Sequence, residues 1–163
     1  MDFDLYLRLI IMMFLEFAIW GAWALVLASH LLANLKLSGR QTDWIYATLW
    51  LACIISPFIG GQIADRWIAT EYFLAAAHLA GGVILIIAAK KQKFSKLFGL
   101  MLFYSLLYAP TLALVNSLMF THITDRQAQS GSIRVWRTIG WMALDKKRFI
   151  CFAGERTAVF VKR

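Results

Sequence analysis

The chain has 163 residues, 61% hydrophobic and 16% charged, with a mean hydropathy of +0.66 and a formal net charge of +8. A soluble domain is about 45–50% apolar and about 25% charged, so uninterrupted apolar runs as long as those here exclude a soluble core and require a bilayer. The positive charge does not indicate nucleic acid: Asp145–Arg163 carries Lys146, Lys147, Arg148, Arg156, Lys162 and Arg163 against Asp145 and Glu155, half of the total, and the rest lies in connectors that meet headgroups and set topology.

The first apolar run predicts a helix over 9–35, interrupted only by Glu16, Ser29, His30 and Asn34. It is longer than the roughly 7–15-residue core of a signal peptide and no small-residue cleavage site follows, so it reads as a retained helix. A second helix is expected over 44–66, entered through the polar turn Ser38-Gly39-Arg40-Gln41-Thr42-Asp43. The third, over 72–89, is about 27 Å long and just spans a hydrocarbon core; Lys90-Lys91-Gln92-Lys93 ends it. The fourth covers 97–120. After a polar stretch, 133–143 reads as the first turns of a fifth helix, whereas 144–163 is charged and irregular, a tail expected to be out of frame or disordered. The fold class is therefore all-α membrane protein, four transmembrane helices plus the start of a fifth, with the chain expected to be truncated or frameshifted after about residue 143. Cys53 lies in an apolar run and Cys151 in the tail, which implies no disulfide framework.

Small residues four apart (Ala18 and Ala22, Gly60 and Ala64, Ala76 and Ala80, Ala77 and Gly81) let helices approach closely in lipid. Pro57 and Pro110 each remove a backbone donor within a helix. Polar groups at membrane depth are costly and therefore informative. With Glu16 as origin and 100° per residue, Trp20 falls near +40°, Trp23 near −20°, Leu27 near +20° and His30 near −40°, all roughly on one stripe. That stripe faces a protein interior or a wet cavity, with Glu16 as proton-coupling candidate and Trp20 and Trp23 as ligand-lining candidates; a structural carboxyl and plain packing are the alternatives. In the fourth helix, Ser105, Tyr108, Leu112 and Asn116 fall within an arc of about 80° beside Pro110, a face that can line a cavity or supply an interhelical hydrogen bond through Asn116. No Cys/His metal spacing, phosphate loop or nucleophile elbow is present. Neither an enzyme nor a cofactor or metal site is expected.

Gly61-x-x-x-Asp65-Arg66 resembles the first half of the loop signature of the major facilitator superfamily, although Trp67-Ile68-Ala69-Thr70 replaces its usual Gly-Arg-Arg continuation. Three further stretches sharpen the resemblance. Phe14-Leu15-Glu16-Phe17-Ala18-Ile19-Trp20-Gly21-Ala22-Trp23 is similar to the opening helix of the nucleoside:proton symporters of that superfamily. Tyr108-Ala109-Pro110-Thr111-Leu112-Ala113-Leu114-Val115-Asn116-Ser117 is similar to their fourth helix, and Ile133-Arg134-Val135-Trp136-x-Thr138-Ile139-Gly140-Trp141 to the start of their fifth. The resemblance covers Met1 to about Ala143 and implies the N-terminal part of a twelve-helix fold in two six-helix halves.

It also implies proton-driven nucleoside uptake across the bacterial inner membrane, with Arg134, Thr138 and Trp141 lining the nucleoside site. A guanidinium and a hydroxyl can hydrogen-bond ribose or base, and an indole can stack on the base; for Arg134 a cytoplasmic topology charge is the alternative. The family pattern has glycine where this chain has Arg137. The resemblance places the N-terminus inside, with Arg8, Arg66, Arg126, Arg134 and Arg137 cytoplasmic against Lys36, Arg40, Lys90, Lys91, Lys93 and Lys96 outside, an orientation the positive-inside rule does not support. The species handled are then nucleosides and protons, the partner is the lipid bilayer, and neither nucleic acid nor an obligate protein partner is expected. Alternating access needs two halves rocking about a shared site, so the 163 residues alone are expected not to transport. A small membrane-embedded binding or scaffold subunit is the alternative function.

Overall fold

The computed structural model describes residues 2–66, 69–123 and 130–143, and all the secondary structure among them is helical. Helix α1 spans Phe3–Ser29 and passes into a π-helical turn at His30–Asn34; α2 spans Gly39–Arg66, α3 Thr70–Ala89 and α4 Phe94–His122. Residues 130–143 form α5. The tail 144–163, for which an irregular structure was expected, lies outside the described residues.

The helices run past the apolar stretches that predict them, for local reasons. Helix α1 begins six residues before Leu9, where Arg8 and Asp4 form an exposed i,i+4 ion pair of 2.8 Å that carries the helix beyond its apolar run. Helix α2 begins within the polar segment read as a turn. Ser38 and Gln41 make a capping box there: Ser38 N–H donates to Gln41 Oε1 (3.0 Å) and Gln41 N–H to Ser38 Oγ (3.3 Å), so polar residues start the helix rather than interrupt it. The connector between α1 and α2 contains Lys36, the only described non-glycine residue with positive φ (53°).

Three helices are long and apolar enough to cross a membrane: Phe3–Asn34, Thr70–Ala89 and Phe94–His122. For α2 the case rests on length and on the surface it presents. Its 28 residues extend about 42 Å, and Trp50, Ile54 and Phe58, one turn apart, are 66%, 70% and 77% exposed. A row of large apolar side chains bare to this extent suits contact with lipid or further protein rather than water. On α3 the two faces separate cleanly: Leu74, Ala77, Gly81, Ile84 and Ala88 are buried, while Tyr72, Leu79, Val83 and Ile86 are exposed.

The described residues fall into two compact units, α1 through Leu27 with α5, and Ala28–Thr121. In the second unit, α3 meets α4 where Gly81 lies under the Tyr104 ring. Tyr104 stacks on Tyr108 (centroids 5.5 Å, planes 11° apart), and His78 meets Tyr108 edge-on at 6.0 Å. Of the two small-residue pairs on α3, Ala77 and Gly81 are buried, whereas Ala76 and Ala80 are exposed. Helix α2 meets α4 through Thr48 and Ser105, whose hydroxyl oxygens are 3.2 Å apart. Thr48 donates its proton to Ile45 O at 2.6 Å, so Ser105 is the donor in the interhelical bond.

In the first unit, α1 and α5 touch backbone to backbone. A Cβ on Gly21 would lie 2.5 Å from the carbonyl oxygen of Trp141, and a Cβ on Gly140 would strike the carbonyl oxygen of Phe14. Phe14 precedes Gly21 as Gly140 precedes Trp141, so the two helices run in the same direction. Equal direction requires an odd number of crossings between them, which α2, α3 and α4 supply only if α2 crosses as well.

Candidate functional site on α5

The α1–α5 contact fixes which side of α5 is turned outward. With Gly140 as origin, Ile133 lies near 20° and Arg137 near 60°, whereas Trp141, Arg134 and Thr138 lie near 100°, 120° and 160°. Ile133 and Gly140 are buried and Arg137 is half-buried. Arg134 and Thr138 are exposed and Trp141 is 36% exposed. The three residues predicted to line a nucleoside site thus share one arc about 60° wide; Arg134 and Thr138 lie away from α1, and Trp141, whose carbonyl meets Gly21, borders the contact. The helix presents a guanidinium, a hydroxyl and an indole over two turns. Such a set can hydrogen-bond a polyhydroxylated ring and stack on a flat heterocycle.

Depth follows from the same contact. Gly140 is level with Phe14 and the turn after it. Arg134, six residues earlier, is about 9 Å nearer the α1 start, level with the beginning of the apolar run, and Trp141 is about 10 Å deeper than Arg134.

Arg137, which replaces the family's glycine, is accommodated by an aromatic ring: its guanidinium carbon lies 5.1 Å from the Phe17 centroid, within cation–π range. Phe17 itself packs against Trp20 at 6.0 Å.

The α1 stripe is not brought onto the α5 arc. Phe14 and Gly21, which touch α5, lie about 160° and 140° around α1 from Glu16. Glu16 is nevertheless buried, at 2% exposure, and Trp20 and Trp23 are half-buried. The Glu16 face is opposite the face that holds α5. His30 sits in the π-helical turn, its Nδ1 3.1 Å from Asn34 Nδ2.

Asn116 belongs to the other unit, where its amide donates to Leu112 O within α4 at 2.6 Å; the interhelical hydrogen bond considered for it is replaced by this intrahelical one. The rest of its arc is packed rather than open, because Ser105 is bonded to Thr48 and Tyr108 is stacked on Tyr104. Gly61, Asp65 and Arg66 lie in the last turns of α2, and their side chains lie outside those described.

Two polar groups escaped the sequence reading. His78 is half-buried in α3 and donates Nδ1–H to Leu74 O at 2.7 Å; a single titratable residue within an 18-residue apolar run was the available signal. Tyr104 was missed because nothing in periodicity distinguishes it from a core phenylalanine. Among the described residues no three His, Cys, Asp or Glu side chains gather as metal ligands.

A family model for the nucleoside H+ symporters matches residues 3–160. The chain belongs to that family. Among family relatives, YegT of Escherichia coli K12 is 40% identical over 136 residues, which are 83% of this chain and 32% of YegT. The nucleoside permease NupG of the same organism is 32% identical over 143 residues, 85% of this chain and 34% of NupG. The xanthosine permease of that organism is 33% identical over 140 residues, 83% and 34% of the two chains. The crystal structure of NupG superposes with a TM-score of 0.81 at 31% identity, covering 86% of this chain and 36% of that one. The architecture is that of the N-terminal part of this transporter, and the chain spans about a third of the length of these relatives.

Proposed function

We propose that the chain supplies the N-terminal, nucleoside-contacting wall of a proton-coupled nucleoside transporter of the bacterial inner membrane, working by alternating access. Family membership supports the class of activity. The single observation that carries the reading is the placement of Arg134, Thr138 and Trp141 on one exposed arc of α5, bordered at Trp141 by the contact with α1. In this reading Arg134 and Thr138 hydrogen-bond the sugar or the base edge, and Trp141, deeper in the membrane, stacks on the base. In this reading Glu16, buried in α1, carries the coupling proton. Uptake then requires a second wall, so the 163 residues reconstituted alone bind nucleoside without accumulating it.

Equilibrium binding of tritiated uridine to the chain in lipid nanodiscs tests this. Single alanine substitutions at Arg134, Thr138 and Trp141 are each expected to weaken binding by about tenfold, the equivalent of about 1.4 kcal/mol. A triple variant that binds uridine as tightly as the wild type overturns the assignment. Proton-driven accumulation of uridine by proteoliposomes holding only this chain contradicts the need for a second wall.

A further inference from the structure

We propose that Gly21, Gly140 and Arg137, none of which faces the nucleoside in the reading above, are positioning residues that set the rotation and depth of the α5 arc. The inference rests on that reading for its functional consequence but not for its geometry. Two glycines on facing helices each admit the other helix's carbonyl oxygen, Gly21 that of Trp141 and Gly140 that of Phe14. Reciprocal contacts of this kind hold one point of α5, Gly140 and Trp141, against two points of α1, Phe14 and Gly21, seven residues apart. A pair of points sets both separation and axial register, and a third contact off that line sets rotation. Arg137 over the Phe17 ring is the third, about 60° around α5 from Gly140.

The consequences can be read from the distances. A methyl at Gly21 would sit 2.5 Å from Trp141 O, where ordinary contact begins at 3.4 Å. The atom in the way is backbone, so no side chain can swing aside. Helix α5 must retreat or turn by about 0.9 Å, and because a helix moves as a rod, Arg134 and Thr138 move with Trp141. Displacements of about 0.5 Å are enough to spoil a preorganised polar site. Gly82, also in a helix, would have nothing within 4 Å of an added Cβ and serves as the control.

The test uses the full chain in nanodiscs, with Cys53 and Cys151 changed to Ala and a trifluoromethyl label on Thr138→Cys for 19F NMR. A parallel series with Thr138 intact measures uridine binding. Gly21→Ala and Gly140→Ala are each expected to move the resonance at position 138 and to weaken uridine binding about tenfold or more, while Gly82→Ala does neither. If the glycine variants fail to fold, Arg137→Gln, which leaves the backbone contacts intact, is expected to move the resonance, and Arg137→Lys, which keeps a cation over Phe17, to restore it. An unchanged resonance in folded Gly21→Ala and Gly140→Ala, or in Arg137→Gln where those do not fold, overturns the positioning role. A resonance that moves as expected in a chain that never binds uridine preserves the joint and refutes the nucleoside reading instead.

Discussion

Two adjacent glycines in α3 should respond to the same substitution with opposite signs. A Cβ on Gly81 would meet Tyr104 Cε2 at 3.1 Å and Cδ2 at 3.3 Å, closer than the 3.4 Å of ordinary contact. Relief requires the ring to move by a few tenths of an ångström. Tyr104 is 2% exposed and stacked on Tyr108 at 5.5 Å, and Tyr108 is itself held edge-on by His78. A ring pinned from behind cannot tilt cheaply, so the methyl acts as overpacking, which costs about 1–3 kcal/mol. Gly82 faces open space, and there alanine brings only its better helix propensity, about 1 kcal/mol. Both positions lie mid-helix in α3, so the propensity gain cancels in the comparison, and Gly81→Ala should be less stable than Gly82→Ala by about 1–3 kcal/mol. Equilibrium unfolding in mixed micelles of dodecyl maltoside and increasing dodecyl sulfate, followed by circular dichroism, measures the difference. Two variants equally stable within about 0.3 kcal/mol would show the stack to be compliant and refute the argument.

Two other groups yield predictions of a different kind. Ser105→Ala removes the donor of the α2–α4 hydroxyl bond and Thr48→Val its acceptor; each should cost about 0.6 kcal/mol, with a coupling energy of similar size in the double-mutant cycle, and strict additivity would mean that the 3.2 Å contact contributes nothing. If Glu16 must be protonated for nucleoside to bind, uridine affinity of the wild-type chain should rise toward acid pH, whereas Glu16→Gln should bind with the acid-side affinity at every pH. A Glu16→Gln chain that keeps the wild-type pH dependence moves the proton to another group, with His78 the next to test.

Run length points to α1 through α4, because a bilayer enforces about twenty apolar residues per crossing and that constraint is written locally, whereas α5 has no run of that length. Helix ends are less legible. Ser38 and Gln41 read as a polar turn until their reciprocal bonds show them to be a cap, and the same residue types serve both purposes. Arg134, Thr138 and Trp141 are singled out by resemblance to the family, and their spacing then places them on one arc of α5. What periodicity cannot supply is the phase of one helix against its neighbour. Glu16, Trp20 and Trp23 share one stripe of α1, yet α5 packs on nearly the opposite side, and only the glycine contacts at Gly21 and Gly140 reveal that. Asn116 illustrates the other gap. A polar side chain within an apolar helix can bond across to a neighbour or back to its own turn, and the sequence is identical in both cases.

The exposed arc of α5 also bears on the choice between a transport wall and a scaffold surface. An arginine turned toward lipid at membrane depth is costly even after snorkelling, and Arg134 lies level with the start of the α1 apolar run rather than beyond it. Trp141 is about 10 Å deeper on the same arc, so whatever covers one covers the other. A scaffold interface would have to cover both the guanidinium and the indole. A hydrated cavity leaves Arg134 solvated, lets Thr138 exchange water for a solute hydroxyl, and offers the Trp141 ring a flat partner. A small solute, polar along one edge and aromatic at one end, would meet all three side chains, in keeping with the nucleoside proposed above.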